Sequence, residues 1–211
     1  MNRATRSIVT TLGVLLGISG MNHGFFEALQ GYIPTPGLIV QAIGSANRFW
    51  VHGTEEAFTI VPNFLITGLL AIMVGVAIIV WSIRFVHQKN GSRIFILLCI
   101  LLFLVGGGIG QIIFFTLAWA VATRINRPLT GWRKILPERV RKALSTIWPV
   151  SLAVGSLLFS FALEIAIFGF VPGVADPEQR LYICWGLLGI SLVTFFLTIV
   201  SGFAQDIQAA A

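Results

Sequence analysis

The chain consists of long apolar runs separated by short polar stretches. About 20 apolar residues are needed to cross roughly 30 Å of hydrocarbon, and five runs are long enough to enter a membrane. We predict these runs as four full spans and one central segment, within a single polytopic membrane domain covering residues 1–211. The spans cover residues 7–29, 57–86, 146–170 and 177–203, and the central segment covers residues 94–123.

The central segment 94–123 has no charged residue and is interrupted by a glycine cluster. It is too long for one plain span and too short for two full ones, since each half is only ~18–20 Å long as a helix. We predict a hairpin of two short helices that turns at the glycines, with one long span as the alternative. The backbone of such a turn must be covered by protein or by water. The hinge glycines are Gly106, Gly107, Gly108 and Gly110.

The positions of lysine and arginine favour the hairpin. The segment 124–145 carries seven of the fourteen Lys and Arg residues of the chain, and residues 84–93 carry three. If 94–123 returns to the side from which it enters, twelve of the fourteen lie on one side, whereas a single crossing leaves six there. The positive-inside rule then predicts a multi-pass protein of the cell membrane with both termini and the segment 124–145 in the cytoplasm. Its seven basic residues are Arg124, Arg127, Arg133, Lys134, Arg139, Arg141 and Lys142.

Short signatures predict where several helices begin. A hydroxyl or acidic cap followed by proline is typical of a helix start. Thr35-Pro36 therefore predicts a helix over 36–50, too short to span and placed in the outer interface. Residues 54–56, Thr-Glu-Glu, predict the start of the span 57–86, since acids favour the positive end of a helix. Asp176-Pro177 predicts the start of the last span.

Composition agrees with this architecture. The chain is 56% hydrophobic and 10% charged, with a mean hydropathy of +0.91, whereas soluble domains are about 25% charged. The predicted fold class is an all-α integral membrane protein. It has four full transmembrane helices, a central glycine-broken hairpin and an outer interfacial helix, or five to six hydrophobic segments in all. The two cysteines, Cys99 and Cys184, lie in apolar runs and are predicted to be buried thiols.

Glu164 is the first candidate functional residue, because it lies well inside a predicted span. An ionisable group at such a depth costs on the order of 3 kcal/mol and commonly marks a proton or substrate site. Counting along its helix places Glu164 at the level of the glycine turn. We therefore predict that it points inward, near Gly106 and Gln111. The alternative is a neutral acid that is hydrogen-bonded for packing.

A second candidate is a polar cluster on the outer side. His23 and Glu27 are four residues apart on one helical face, and His52 precedes Glu55 by three residues. These residues are candidates for a polar substrate or proton entrance. Histidines and carboxylates also bind metals, so His23, Glu27, His52 and Glu55 are weaker candidate ligands, although acids at a helix start already explain Glu55. Two further polar residues, Asn22 and Asn63, join Glu164, Gln111, His23, Glu27 and His52 as candidates for the pathway.

Three classes of function follow from these residues. A small-solute or proton-linked transporter or permease, or its membrane subunit, is favoured by Glu164, the broken helices and the outer cluster. A membrane-embedded enzyme for a lipid or quinone-like substrate is the alternative, and a non-catalytic scaffold is the third class. Whether the chain is an enzyme and whether it binds a cofactor both stay open.

Two motifs are rejected. The G-x-S-G spelling at residues 17–20 lacks the partner histidine of a membrane serine protease, and GGGIGQ follows no strand that would make it a dinucleotide fingerprint. The predicted partners are the bilayer and anionic lipid head groups that contact the basic segment. A membrane protein partner or a second copy is a further candidate, and nucleic acid is not.

Overall fold

The computed structural model describes residues 1–210, which form eight helices and one small antiparallel sheet. Four helices are long enough and apolar enough to cross a membrane, so the chain is built as a helical membrane protein. These four are α1 (Arg3–Ala28), α2 (Phe64–Arg84), α7 (Trp148–Phe168) and α8 (Pro177–Ala209). The shorter helices are α3 (Gly91–Leu104), α4 (Gln111–Ala122), α5 (Thr130–Ile135) and α6 (Glu138–Ser145). The strands are β1 (Ile39–Gln41), β2 (Glu56–Thr59) and β3 (Val105–Gly108).

The predicted break at the glycines is present, and the residues between α3 and α4 form strand β3. The two short helices run in opposite directions. At one end β3 joins them, and at the other end the Asn126 side-chain amide donates to the carbonyl of His87 at 2.6 Å. Antiparallel pairing with β2 places Ala57 opposite Gly108 and Phe58 opposite Gly107. Strand β2 therefore supplies hydrogen-bond partners to the backbone of the glycine segment, whose residues Val105–Gly108 are all buried.

The predicted interfacial helix over 36–50 is wrong. Residues Ile39–Gln41 form β1, which pairs with β2, and Ser45–Asn47 form one 3-10 turn. Ile39 and Val40 are β-branched and suit a strand that has a partner. The side-chain amide of Gln30 also donates to the Gln41 and Ala42 carbonyls at 3.0 Å, which fixes the extended path.

The predicted start of the second span is also wrong. Residues 54–56 lead into strand β2, and α2 begins only at Phe64. Pro62 explains the delay, because a proline lacks the N–H that a helix interior needs and disfavours helical backbone in the residue before it. Asn63 then caps α2, accepting a hydrogen bond from the backbone N–H of Ile66 at 3.2 Å.

The last helix extends beyond its predicted end at residue 203 and reaches Ala209. Asp176 caps its start, as predicted, by accepting the N–H of Glu178 at 3.2 Å. Near its other end, Asp206 accepts hydrogen bonds from the backbone N–H groups of Ala4 and Thr5 at 2.9 and 2.8 Å. The carboxylate therefore satisfies free donors at the start of α1 and complements the positive end of that helix.

Glycines bring α1 and α2 into direct backbone contact. Gly17 lies against Gly75, and Gly24 lies against Gly68, so glycines seven residues apart on each helix meet in antiparallel pairs. A Cβ built on Gly24 would be 2.5 Å from the carbonyl oxygen of Gly68. Small residues allow such close approach between membrane helices, and this contact sets the position of α1.

We predict that Gly24→Ala destabilises the protein, since the added methyl group has no room between the two backbones. Overpacking of this kind costs about 1–3 kcal/mol. The measurement is the unfolding free energy in mixed micelles under denaturing-detergent titration. Gly186→Ala is the matched control, because a Cβ on Gly186 of α8 meets nothing within 4 Å. Equal stability of the two variants would contradict close packing of α1 on α2.

Candidate functional site

Three polar side chains on one face of α1 form the base of the candidate site. Ser19, His23 and Glu27 are spaced four residues apart, so they lie along one side of the helix, and all three are buried. This face is directed toward β3 and the start of α4, where the helical backbone is interrupted. The site thus lies at the end of the bundle that carries the sheet.

Glu27 is the most deeply buried acid of the site. Its exposed fraction is 0%, and neither carboxyl oxygen has a hydrogen-bond partner among residues 1–210. The carboxyl group lies against Gly106, where a Cβ would be 2.8 Å from the Glu27 carboxyl carbon. Gly106 also has φ +111°, a conformation that favours glycine. Since burial without a partner penalises the charged form, Glu27 is held as a neutral acid.

His23 and Glu55 form an ion pair beside Glu27. The distance from His23 Nε2 to Glu55 Oε2 is 2.9 Å, and His23 is 6% exposed. Burial alone would raise the pKa of Glu55, but the charge and the hydrogen bond of His23 outweigh it and hold this pKa below its ordinary value. Glu55 is therefore an anion at neutral pH. A Cβ on Gly108 would come within 2.6 Å of His23 Nε2, so glycine is needed here as well.

Gln111 links the first turn of α4 to the same face of α1. Its side-chain amide donates to Ser19 Oγ at 2.8 Å, and both residues are buried. The Gln111 side-chain oxygen has no hydrogen-bond partner in the described part of the chain. The cluster of Ser19, His23, Glu27, Glu55 and Gln111, which we call the glycine-turn cluster, is buried except for the Glu55 side chain, which is 42% exposed. It contains several polar atoms with unused hydrogen-bonding capacity.

A narrow cleft opens beside the glycine-turn cluster. It encloses about 380 Å³ of empty space, including open solvent at its mouth. Its polar wall consists of Ser19, Asn22 and His23 from α1, with Thr54 and Glu55 from the segment before β2. A small polar group entering this cleft therefore meets the His23–Glu55 pair, which lies at the same glycine segment as Glu27.

The predicted inward position of Glu164 is wrong. Glu164 is exposed on the outer side of α7, and it has no side-chain hydrogen bond or ion pair within residues 1–210. The neighbouring residues Leu163, Ala166 and Ile167 face the cleft instead. The predicted acid at the glycine turn does exist, but Glu27 of α1 supplies it.

The other sequence candidates divide between the site and its surroundings. Asn22 lines the cleft, whereas Asn63 serves as the helix cap described above. His52 lies apart from His23 and pairs with Glu178 at the start of α8, with 2.8 Å between Nε2 and Oε1. Among residues 1–210, no three His, Cys, Asp or Glu side chains are grouped closely enough to hold a metal ion. The structure therefore does not assemble the four candidate metal ligands.

Ser19 was considered only within the rejected G-x-S-G motif. Glu55 was grouped with His23, Glu27 and His52 in the outer cluster, as a weaker candidate metal ligand that also suited a helix start. Ser19, His23 and Glu27 are four residues apart, and this spacing could have predicted that Ser19 lies on the same helical face as the other two. Both cysteines are free and buried, as predicted.

The basic segment lies at the opposite end of the bundle from the glycine-turn cluster. The side-chain amide of Asn2 donates to the carbonyls of Arg124 and Arg127 at 2.7 and 2.9 Å, which joins the start of α1 to the residues after α4. The contact between Asn126 and His87 brings the turn before α3 to the same end. The three Lys- and Arg-rich parts of the chain are thus grouped at one end.

Comparison of the chain with protein-family models, with curated proteins and with solved structures gave no match.

We predict that Glu27→Leu stabilises the folded protein, because it replaces a buried acid that has no partner with an apolar side chain of similar size. Removing such an unsatisfied group is worth about 1–3 kcal/mol. The midpoint of thermal unfolding in detergent should rise for this variant. The exposed acid Glu56 of β2, which lies outside the four long helices, provides the control, and Glu56→Leu should leave the midpoint nearly unchanged. A clear loss of stability in Glu27→Leu would mean that the carboxyl group has a stabilising partner.

Proposed function

We propose that this protein is a proton-linked membrane transporter or permease, or the membrane subunit of one, with the glycine-turn cluster as its working site. The observation that carries the proposal is Glu27, a fully buried carboxyl group without a partner in a helix long enough to span a membrane. Intramembrane acids facing the bundle interior commonly serve in proton relays. Glu27 therefore takes the role that the sequence suggested for Glu164.

The proposed cycle uses the difference between a buried and a hydrated carboxyl group. In the buried state Glu27 is neutral and carries a proton. When water or a solute reaches it from the cleft, the charged form becomes less costly and the proton is released. The His23–Glu55 pair, which is hydrogen-bonded at 2.9 Å and lines the cleft, relays protons between the cleft and Glu27.

The arrangement of polar groups also indicates from which end of the helical bundle a solute reaches the site. They extend from the cleft to Ser19 and Gln111, and below them α1 contributes Leu12 and Leu16 to the apolar core. The site is thus closed toward the basic end and approached from the sheet end. Opening the other side requires movement of the short helices α3 and α4. Interrupted helices of this kind often move or bind substrate in transporters.

The charges support a topology in which the basic end lies in the cytoplasm and the cleft faces outward. In this arrangement α3 and α4 enter and leave on the cytoplasmic side, both termini are cytoplasmic, and α1, α2, α7 and α8 cross the cell membrane. The basic residues of α5, α6 and the preceding turn contact anionic lipid head groups.

This topology predicts which introduced cysteines are accessible from outside. A membrane-impermeant thiol reagent applied to intact cells should label Ala175→Cys, in the loop between α7 and α8, and should leave Thr130→Cys unlabelled. Both variants should react after the cells are opened. Labelling of Thr130→Cys in intact cells would exclude the proposed hairpin topology, because it would place the basic segment outside.

A membrane-embedded enzyme that acts on a lipid or quinone-like substrate is the second candidate. The observation that favours it is the His23–Glu55 pair beside the apolar residues of α7. A carboxylate that orients an imidazole is a common arrangement for a general base. This candidate requires turnover of a substrate without net movement across the membrane.

Transport and its dependence on Glu27 can be measured in proteoliposomes. Charge movement on solid-supported membranes, screened over pools of small metabolites, should give solute-dependent currents that change with an imposed pH gradient. Glu27→Gln keeps the shape of the side chain but cannot release a proton, so it should abolish the dependence on the pH gradient. Glu164→Gln should behave as the unaltered protein. Proton-linked currents that persist in Glu27→Gln would overturn the assignment.

A further inference from the structure

A second concavity lies between α3 and α4, the two arms of the hairpin. It encloses about 500 Å³ of empty space, including open space at its mouth. We call it the hairpin groove, and its walls include Ile96, Ile100 and Phe103 of α3 and Ile112 and Thr116 of α4. The only hydroxyl on its walls is that of Thr116, which donates to the carbonyl of Ile112 at 2.9 Å. The groove therefore offers an apolar surface.

The hairpin groove is open to the surroundings of the two arms, since Ile100, Ile112 and Thr116 are exposed. Strand β3 favours separation of the arms beside it, because four extended residues span up to ~13 Å, whereas close-packed helices lie ~8–10 Å apart. Folded proteins contain few voids larger than a water molecule, since the lining of an empty apolar space loses its packing contacts. In a bilayer the groove is therefore filled from outside by an apolar group.

The size of the hairpin groove restricts that group. Ile96 and Phe103 are seven residues apart, which is ~10 Å along α3. Spread over this length, the empty space has a cross-section of roughly 50 Å², whereas a helix with its side chains is ~10–12 Å across, or roughly 80 Å² at least. The groove is therefore too narrow for another membrane helix, and it suits a flexible acyl chain.

Arg93 adds a positive charge at the basic end of the hairpin groove. It precedes Ile96, Ile100 and Phe103 by three, seven and ten residues, so it lies on the same face of α3. Arg93 is exposed and forms no ion pair within residues 1–210. Residues 57–137 contain no Asp or Glu that could neutralise it. The charge therefore complements an anionic group attached to the acyl chain.

We infer that the hairpin groove binds one anionic phospholipid, with an acyl chain between the two arms and the phosphate group at Arg93. Anionic lipids give the cytoplasmic leaflet its negative surface potential, and the proposed topology places the basic end there. The inference shares this topology with the proposed function but requires no transport. It also differs from general head-group contact by the segment 124–145, because the chain and the head group are both bound at a defined site.

Binding can be measured by native mass spectrometry of the delipidated full chain, titrated with dioleoyl phosphatidylglycerol or dioleoyl phosphatidylcholine. Phosphatidylcholine has the same chains and phosphate but adds a cation, so it gains less from Arg93. The first phosphatidylglycerol should bind about fivefold more tightly, the gain typical of one basic residue near anionic lipid. Arg93→Gln should remove this preference. Arg139→Gln should retain it, because it removes the same charge from an exposed position on α6.

A second pair of variants tests the position of the acyl chain. Ile100→Trp should abolish saturable binding of the first lipid, because the larger side chain fills the hairpin groove. Leu97→Trp is the matched control, since Leu97 is an exposed residue of α3 that does not line the groove. Should Ile100→Trp fail to fold, Thr116→Phe fills the groove from α4 and should give the same loss.

The outcomes are independent of transport. Equal affinity for the two lipids, or a preference that persists in Arg93→Gln, would overturn the inference. Lipid binding that the groove-filling variants leave unchanged would overturn it as well, and so would displacement of the lipid by excess glycerol phosphate, which has the head group without the chains. Binding with the expected dependences supports the inference even if proton-linked currents are absent, and currents that depend on Glu27 would not rescue it.

Discussion

Backbone hydrogen bonding in apolar surroundings is the constraint on which the rest of the structure depends. Between α3 and α4 the chain leaves the helical path, and each unsatisfied backbone group there would cost several kcal/mol in hydrocarbon. Strand β2 meets this requirement. The N–H of Ile109 donates to the carbonyl of Glu56 at 3.0 Å, and the N–H of Ile60 donates to that of Leu104 at 2.9 Å. Thr67 of α2 adds a hydroxyl bond to the carbonyl of Val105 at 2.8 Å.

Strand pairing also makes the chemistry of the site possible. Once β2 holds the glycine segment, the space beside Gly106 and Gly108 is available to side chains of α1. Glu27 and His23 occupy that space, and β2 brings Glu55 to the same place because it follows directly after that residue. The small sheet therefore determines that Glu27, His23 and Glu55 lie close together.

The long helices could be predicted because hydrophobic length alone decides them. The break in 94–123 was predictable for a related reason, since four glycines within the five residues 106–110 weaken a helix wherever it lies. Strands β1 and β2 were not predictable in this way. The partner of β2 lies almost fifty residues further along the chain, so no local periodicity indicates the pairing, and the short apolar pattern over 36–50 suited a helix equally well.

Glu164 and Glu27 show that the depth of a residue along a helix can be predicted from the sequence, whereas the direction of its side chain often cannot. Counting residues gave the level at which an acid should meet the glycine turn, and an acid is found there. The rotation of α7 about its own axis could not be predicted from the sequence, because apolar residues occur on all its faces. For α1 the rotation could be inferred from polar residues at regular spacing, which is why the assignment of His23 and Glu27 to one face agrees with the structure.

The bond between Asp206 and the start of α1 has a consequence for biosynthesis. Its two partners are 202 residues apart along the chain, so the start of α1 is completed only after 202 further residues have been made. At a synthesis rate of about 5–20 residues per second, the N-terminal helix waits roughly 10–40 s with its first donors open. During that interval α1 can already pack on α2 through the glycine contacts, because α2 is the next long helix along the chain. The contact of α8 with the start of α1 therefore forms only after helices α2 to α7 have been made.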